Sequence, residues 1–147
     1  MIRNLTRQTV LSYRTFHAVS FGDRLRGMIG RPFEQIGIDA MVFPSCSSIH
    51  TCFMTFPIDV IFLGTDNTVL QTHPGCRPWR FAVWCRGAHS VIELPAGALA
   101  HTGTLPGDRL DLNAETVQPE LEKRTKYTTQ TAGEQSTAVP SKENPTI

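Results

Sequence analysis

From Ala40 to Leu112 the chain changes direction every few residues, and this is what most restricts its fold. Short apolar or β-branched runs ("AMVF", "SIHTCFM", "IDVIFL", "TVLQTH", "RFAVW", "SVIEL", "RLDL") alternate with turn-forming residues. Runs of this length bounded by Gly, Pro, Asn and Asp read as strands, and none is long enough for a core helix. "LGTDNTV" has hairpin chemistry, "LPGD" a tight turn, and "LPAGALAHTG" a helical turn stopped at Gly103. Many short strands predict a mainly β fold, a jelly-roll-like sandwich or barrel, rather than βαβ units.

Before this series "TVLSY" reads as the first strand. One α-helix is expected on the N-terminal side, over "SFGDRLRGMIG": Ser20 precedes Asp23 in a near capping box, and Leu25, Met28 and Ile29 share a face. "SIHTCFMTFPIDVIF" reads as two strands joined at Thr-Phe-Pro. Alternation then puts His50 and Cys52 on one face of the first strand. In the second, Ile58, Val60 and Phe62 oppose Asp59, Ile61 and Leu63, so that strand is central and covered on both sides.

Composition sets the limits of the functional reading. Fourteen basic and thirteen acidic residues give a net charge of +1, which argues against a nucleic-acid partner. No leader is read at the start and no run is long enough to span a bilayer, so a cytoplasmic protein with reduced thiols and no membrane partner is expected. After Leu112 the chain turns polar. Residues 1–112 are read as one globular domain and 113–147 as a disordered tail.

Within the domain, Asp59 and Glu93 stand at apolar strand ends, where an unpaired carboxylate is costly. They can accept backbone N–H bonds or pair with an arginine, Arg24 being the first partner considered, or act as an acid/base pair. His50 beside Cys52 invites a nucleophile–base reading but has no orienting third group. The cysteine and histidine spacings match no metal motif, so neither metal nor cofactor is expected. "RPWR" sets Trp79 between Arg77 and Arg80, a lip suited to a small anionic or planar ligand.

Taken in order, "RLRGMIG", "AMVF", "SIHTCFMTFPIDVIFLGTDNTVLQT", "PWR", "VIELPAG" and "GDRL" resemble the domain of unknown function 192 over residues 8–112. The resemblance implies a β-rich domain with a helix near its N-terminus and no established reaction. Arg24, Gly27, His50, Asp59, Trp79, Glu93 and Asp108 match the family's recurrent positions, while Asp66-Asn67 stands where many members have Asp-Gly. The expectation is therefore a non-enzymatic domain binding a small ligand or protein partner around Arg24, His50, Asp59, Trp79, Arg80 and Glu93. The competing reading is a small hydrolase or lyase using His50 with Asp59 or Glu93.

Overall fold

The computed structural model describes residues 1–20, 22 and 32–113. Its strands are β1 (Ile2–Asn4), β2 (Thr9–Ser12), β3 (Thr15–His17), β4 (Ala40–Pro44) and β5 (Ser48–Ile49). They continue with β6 (Ile58–Leu63), β7 (Val69–Cys76), β8 (Val83–Trp84), β9 (Ser90–Pro95) and β10 (Leu110–Asp111). Two short helices are described, α1 (Phe33–Ile36) and α2 (Ala98–Thr102).

β6 organises the fold because it is apolar on both faces, and all six of its residues are buried. It pairs antiparallel with β7 and β9 inside a five-stranded sheet ordered β3-β4-β9-β6-β7, in which β3 runs parallel to β4. Side chains then divide by alternation. Ile58, Val60, Phe62, Met41, Phe43 and Val91 face a first core, which Phe33, Met54, Val83 and Cys85 complete. Ile61, Leu63, Ala40, Val42, Ile92 and Leu94 face a second core, closed by Ile2, Leu11 and Leu110 of the sheet β10-β1-β2 and by Leu99 of α2.

The turns follow local chemistry. Asn67 takes a left-handed φ of 61° in the β6–β7 hairpin, where Gly64 N–H bonds the Thr68 carbonyl at 2.9 Å. α2 stops at Gly103 (φ 66°) as expected, and Leu105–Asp108 closes the "LPGD" turn at 3.1 Å.

The mainly β expectation holds, but barrel closure does not: among the described residues β3 and β7 end the sheet, with Val69 of β7 bonded outward to the turn at Gly107 and Asp108, and the strand order alone does not define a jelly roll. The first strand is β1, ahead of "TVLSY", and both β1 and β3 are only three residues long, too short for a sequence pattern. "SIHTCFM" is strand only to Ile49, and β5 pairs with β8, not with β6. The expected hairpin is absent because the chain after Ile49 bonds instead to residues 77–80. "HPGC" continues the edge strand β7, a position that tolerates Pro74. α1, ended by left-handed Gly37, was not foreseen. The helix expected over 20–30, with Arg24 and Gly27, and the tail beyond Asn113 lie outside the described residues.

Candidate functional site

Thr51 is fully buried and ties together the loops that follow β5 and β7. Its N–H donates to the Arg80 carbonyl at 2.9 Å, and its carbonyl accepts from Trp79 N–H at 2.8 Å and Met54 N–H at 3.3 Å. Its Oγ1 donates to the Arg77 carbonyl at 2.8 Å and accepts from Arg80 N–H at 3.0 Å. With every polar group of Thr51 engaged, the two loops are held as a pair; Met54 turns into the first core, while Phe53, Trp79, Arg80 and Phe81 are exposed.

What turns outward is aromatic and cationic. Phe53 and Trp79 sit at φ 64° and 65°. Left-handed backbone is a true outlier for bulky side chains and costs on the order of 1–3 kcal/mol. Their rings meet edge to face at 5.1 Å. They are 63% and 61% exposed, and Trp84 and Phe81 are 66% and 87% exposed. Arg77, Arg80, Arg86 and His50 are exposed as well. The sequence has no carboxylate from 67 to 92, and no Asp, Glu, Lys or Arg from 40 to 58. Trp79 and Arg80 are thus exposed next to the segment that carries His50, through the bonds of Thr51 to both.

Asp59 is elsewhere. It is 1% exposed; Oδ1 accepts from Gly75 N–H at 2.8 Å, and Oδ2 from Gly97 and Leu99 N–H at 3.0 and 2.8 Å. The carboxylate fastens β7 to the start of α2, on the side of the second core. Glu93 lies opposite Val60 in the ladder and therefore faces the first core. Asp59 and Glu93 open to opposite faces of the sheet, which separates the acid/base pair considered from the sequence. Nor does any hydrogen bond join His50 to either carboxylate among the described residues.

Glu93 is 3% exposed, its Oε2 has no hydrogen-bond partner among the described residues, and burial pushes its pKa up to about 8. Val60 is also opposite His73, so Glu93, Val60 and His73 form one row across three strands. The Nε2 of His73 is likewise buried and unpartnered, and its ring meets Phe62 edge to face at 5.8 Å. Burial, then the charge of Arg80, holds this imidazole below its ordinary pKa. Burial pushes the nearby Cys76 thiol up, with Arg80 opposing and Glu93 adding to the shift. Sequence reasoning missed that His73 lies in the same row as Glu93, with Val60 between them; alternation through "TVLQTH" into "HPGC" could have signalled it. Nothing in the sequence signals the role of Thr51.

Asp108 is structural in the same sense as Asp59. Burial raises its pKa, but bonds from Arg7 (2.6 Å), Asn4 (2.9 Å) and Leu105 N–H (2.9 Å) outweigh that and hold it below the usual range. All four cysteines are free thiols. Among the described residues no three His, Cys, Asp or Glu side chains are placed to hold a metal ion, and no helix is long and apolar enough to cross a membrane.

These features define a small layered β domain, built on an open five-stranded sheet with a buried glutamate on one face. The chain belongs to the DUF192 family, "Uncharacterized ACR", whose profile matches residues 4–112. It is 34% identical over 119 residues to a UPF0127 protein of Thermococcus sibiricus, covering 78% of this chain and 76% of that one. It is 39% identical over 112 residues to a UPF0127 protein of Pyrococcus furiosus, covering 75% and 96%. A crystal structure of a protein of unknown function from Novosphingobium aromaticivorans superposes with a TM-score of 0.58 at 22% identity, covering 67% of this chain and 74% of that one. That last likeness speaks for the fold alone.

Proposed function

We propose that this chain is a non-enzymatic binding domain. Its contact surface is formed by the β5/β8 ribbon and the "RPWR" loop, and it meets a negatively charged partner surface. One observation carries the reading: Phe53, Trp79, Phe81 and Trp84 are exposed among Arg77, Arg80 and Arg86, in a stretch with no carboxylate. At roughly 200 Å² per ring, such exposures leave on the order of 500 Å² of aromatic surface in water, near the largest patch an ordinary monomer carries. Trp and Arg are also the residues that dominate binding hot spots.

The hydrolase or lyase alternative has less behind it. Asp59 has its oxygens engaged by three backbone N–H groups, and Glu93 is sealed in the first core. A photo-crosslinking residue in place of Phe81, in cells that make the protein, tests the binding reading. Adducts are expected, and they should vanish with Trp79→Ser plus Arg80→Glu while the melting temperature stays unchanged. No adducts, or adducts indifferent to both substitutions, would overturn it.

A further inference from the structure

We infer that the aromatic–arginine face docks on the surface of an anionic lipid bilayer without crossing it; this rests on the preceding reading of that face as the contact surface. The chemistry of the face is selective. From 77 to 86 the side chains are Arg, Pro, Trp, Phe, Ala, Val and Cys, and from 50 to 56 His, Thr, Cys, Phe and Met. Neither segment has a carboxylate, amide or tyrosine side chain. Protein interfaces fix register with about one hydrogen bond per 100–200 Å²; insertion into a bilayer interface needs no such set of bonds.

Each component of the face has a place at that interface. Tryptophan and phenylalanine settle between headgroups and acyl chains, with their apolar bodies buried and the indole N–H still wet. Arginine's planar fork matches a lipid phosphate, and anionic headgroups attract it. The absence of carboxylates from 67 to 92 removes the repulsion that would oppose this approach. The five hydrogen bonds of Thr51 hold the two turns from inside, so Phe53 and Trp79 are set before contact and little ordering is lost on binding.

Other occupants fit less well. A second copy would bring three arginines against three arginines. Three arginines also give few phosphate contacts for a nucleic acid at physiological salt. The described residues contain no spanning helix, which bears on crossing a membrane and not on touching one.

The test uses the full chain with phosphatidylcholine vesicles, with and without phosphatidylglycerol. Both tryptophans of the chain, Trp79 and Trp84, lie on this face, so intrinsic emission reports on it directly. The expected result is a blue shift and co-sedimentation with the anionic vesicles, reduced at high salt. Arg80→Gln should lower partitioning about fivefold. Trp79→Ser with Phe81→Ser should abolish co-sedimentation at an unchanged melting temperature. Absence of binding to anionic vesicles, or equal binding to both kinds, would overturn the inference. A blue shift with poly-glutamate or oligothymidylate but not with vesicles would also overturn it, and would leave the face as a contact surface. Failure of vesicles together with absence of the cellular adducts would remove both readings.

Discussion

Replacing Glu93 by glutamine should remove a large pH dependence from the stability of this fold. The carboxyl faces an apolar core with one oxygen unpartnered, and burial pushes its pKa from 4.5 to about 8. Between those values the native protein keeps a proton that the unfolded chain has released. The stabilising contribution of the neutral acid is therefore fully present below pH 4.5 and is lost as pH rises toward 8. At about 1.4 kcal/mol per pH unit, that interval amounts to about 5 kcal/mol, comparable with the whole stability of many small domains. His73 works in the opposite direction. Its lowered pKa gives stability that is present above 6.5 and lost as pH falls, so the profile of the native protein alone would mix the two effects.

The difference between the native protein and Glu93→Gln isolates the carboxyl. Urea unfolding of both at fixed ionic strength, from about pH 5 to pH 8.5, supplies it. The buried amide adds a roughly constant cost of about 1–3 kcal/mol and no slope. The variant should gain several kcal/mol on the native protein between the acidic and the alkaline end. A difference that stays flat across this range would mean that Glu93 is ionised or hydrated in the fold, and the reasoning from burial would fail.

Two further outcomes follow from the fastenings. Asp59→Ala strips three backbone N–H groups of their acceptor; it should cost on the order of 3–5 kcal/mol in urea unfolding, with Asp59→Asn costing less. An unchanged midpoint would show that the strand end and α2 hold without it. Thr51→Val removes the hydroxyl that joins the Arg77 carbonyl to Arg80 N–H. It should cost about 1–3 kcal/mol and speed tryptic cleavage after Arg80, with the far-ultraviolet circular dichroism unchanged.

The parts of the fold legible in the sequence are those that local rules determine. β6 and β9 announce themselves by continuous apolar runs, the Gly64–Thr68 turn by Asp66-Asn67, and the end of α2 by Gly103. The segment from His50 to Phe56 misled because its alternation resembles a strand, whereas its conformation is set by hydrogen bonds to residues nearly thirty positions away. No local pattern encodes such a partner. In the candidate site the same division holds. The exposure of Trp79 between arginines could be read from "RPWR", but Phe53 beside it and His73 in the row of Glu93 depend on pairings that appear only once the sheet is assembled.

The two faces of the five-stranded sheet treat their polar groups differently, and the proposed contact surface lies on the side of only one of them. Toward the second core and the three-stranded sheet, polar groups are saturated: Asp59 by three backbone N–H groups, and Asp108 by Asn4, Arg7 and Leu105. That side is built for stability, because buried groups in full hydrogen-bonding networks rigidify a fold. Toward the first core, Glu93 and His73 each keep an atom unpartnered among the described residues, while the ribbon on that side exposes Trp84 and the segment leading into it exposes Phe81. Unsatisfied buried atoms and bulky residues in left-handed turns both cost stability, and proteins retain such costs mainly where something other than stability is selected. Their concentration on the same side of β6 is why changes at Glu93 and Trp79 should alter behaviour, whereas changes at Asp59 should alter only whether the chain folds.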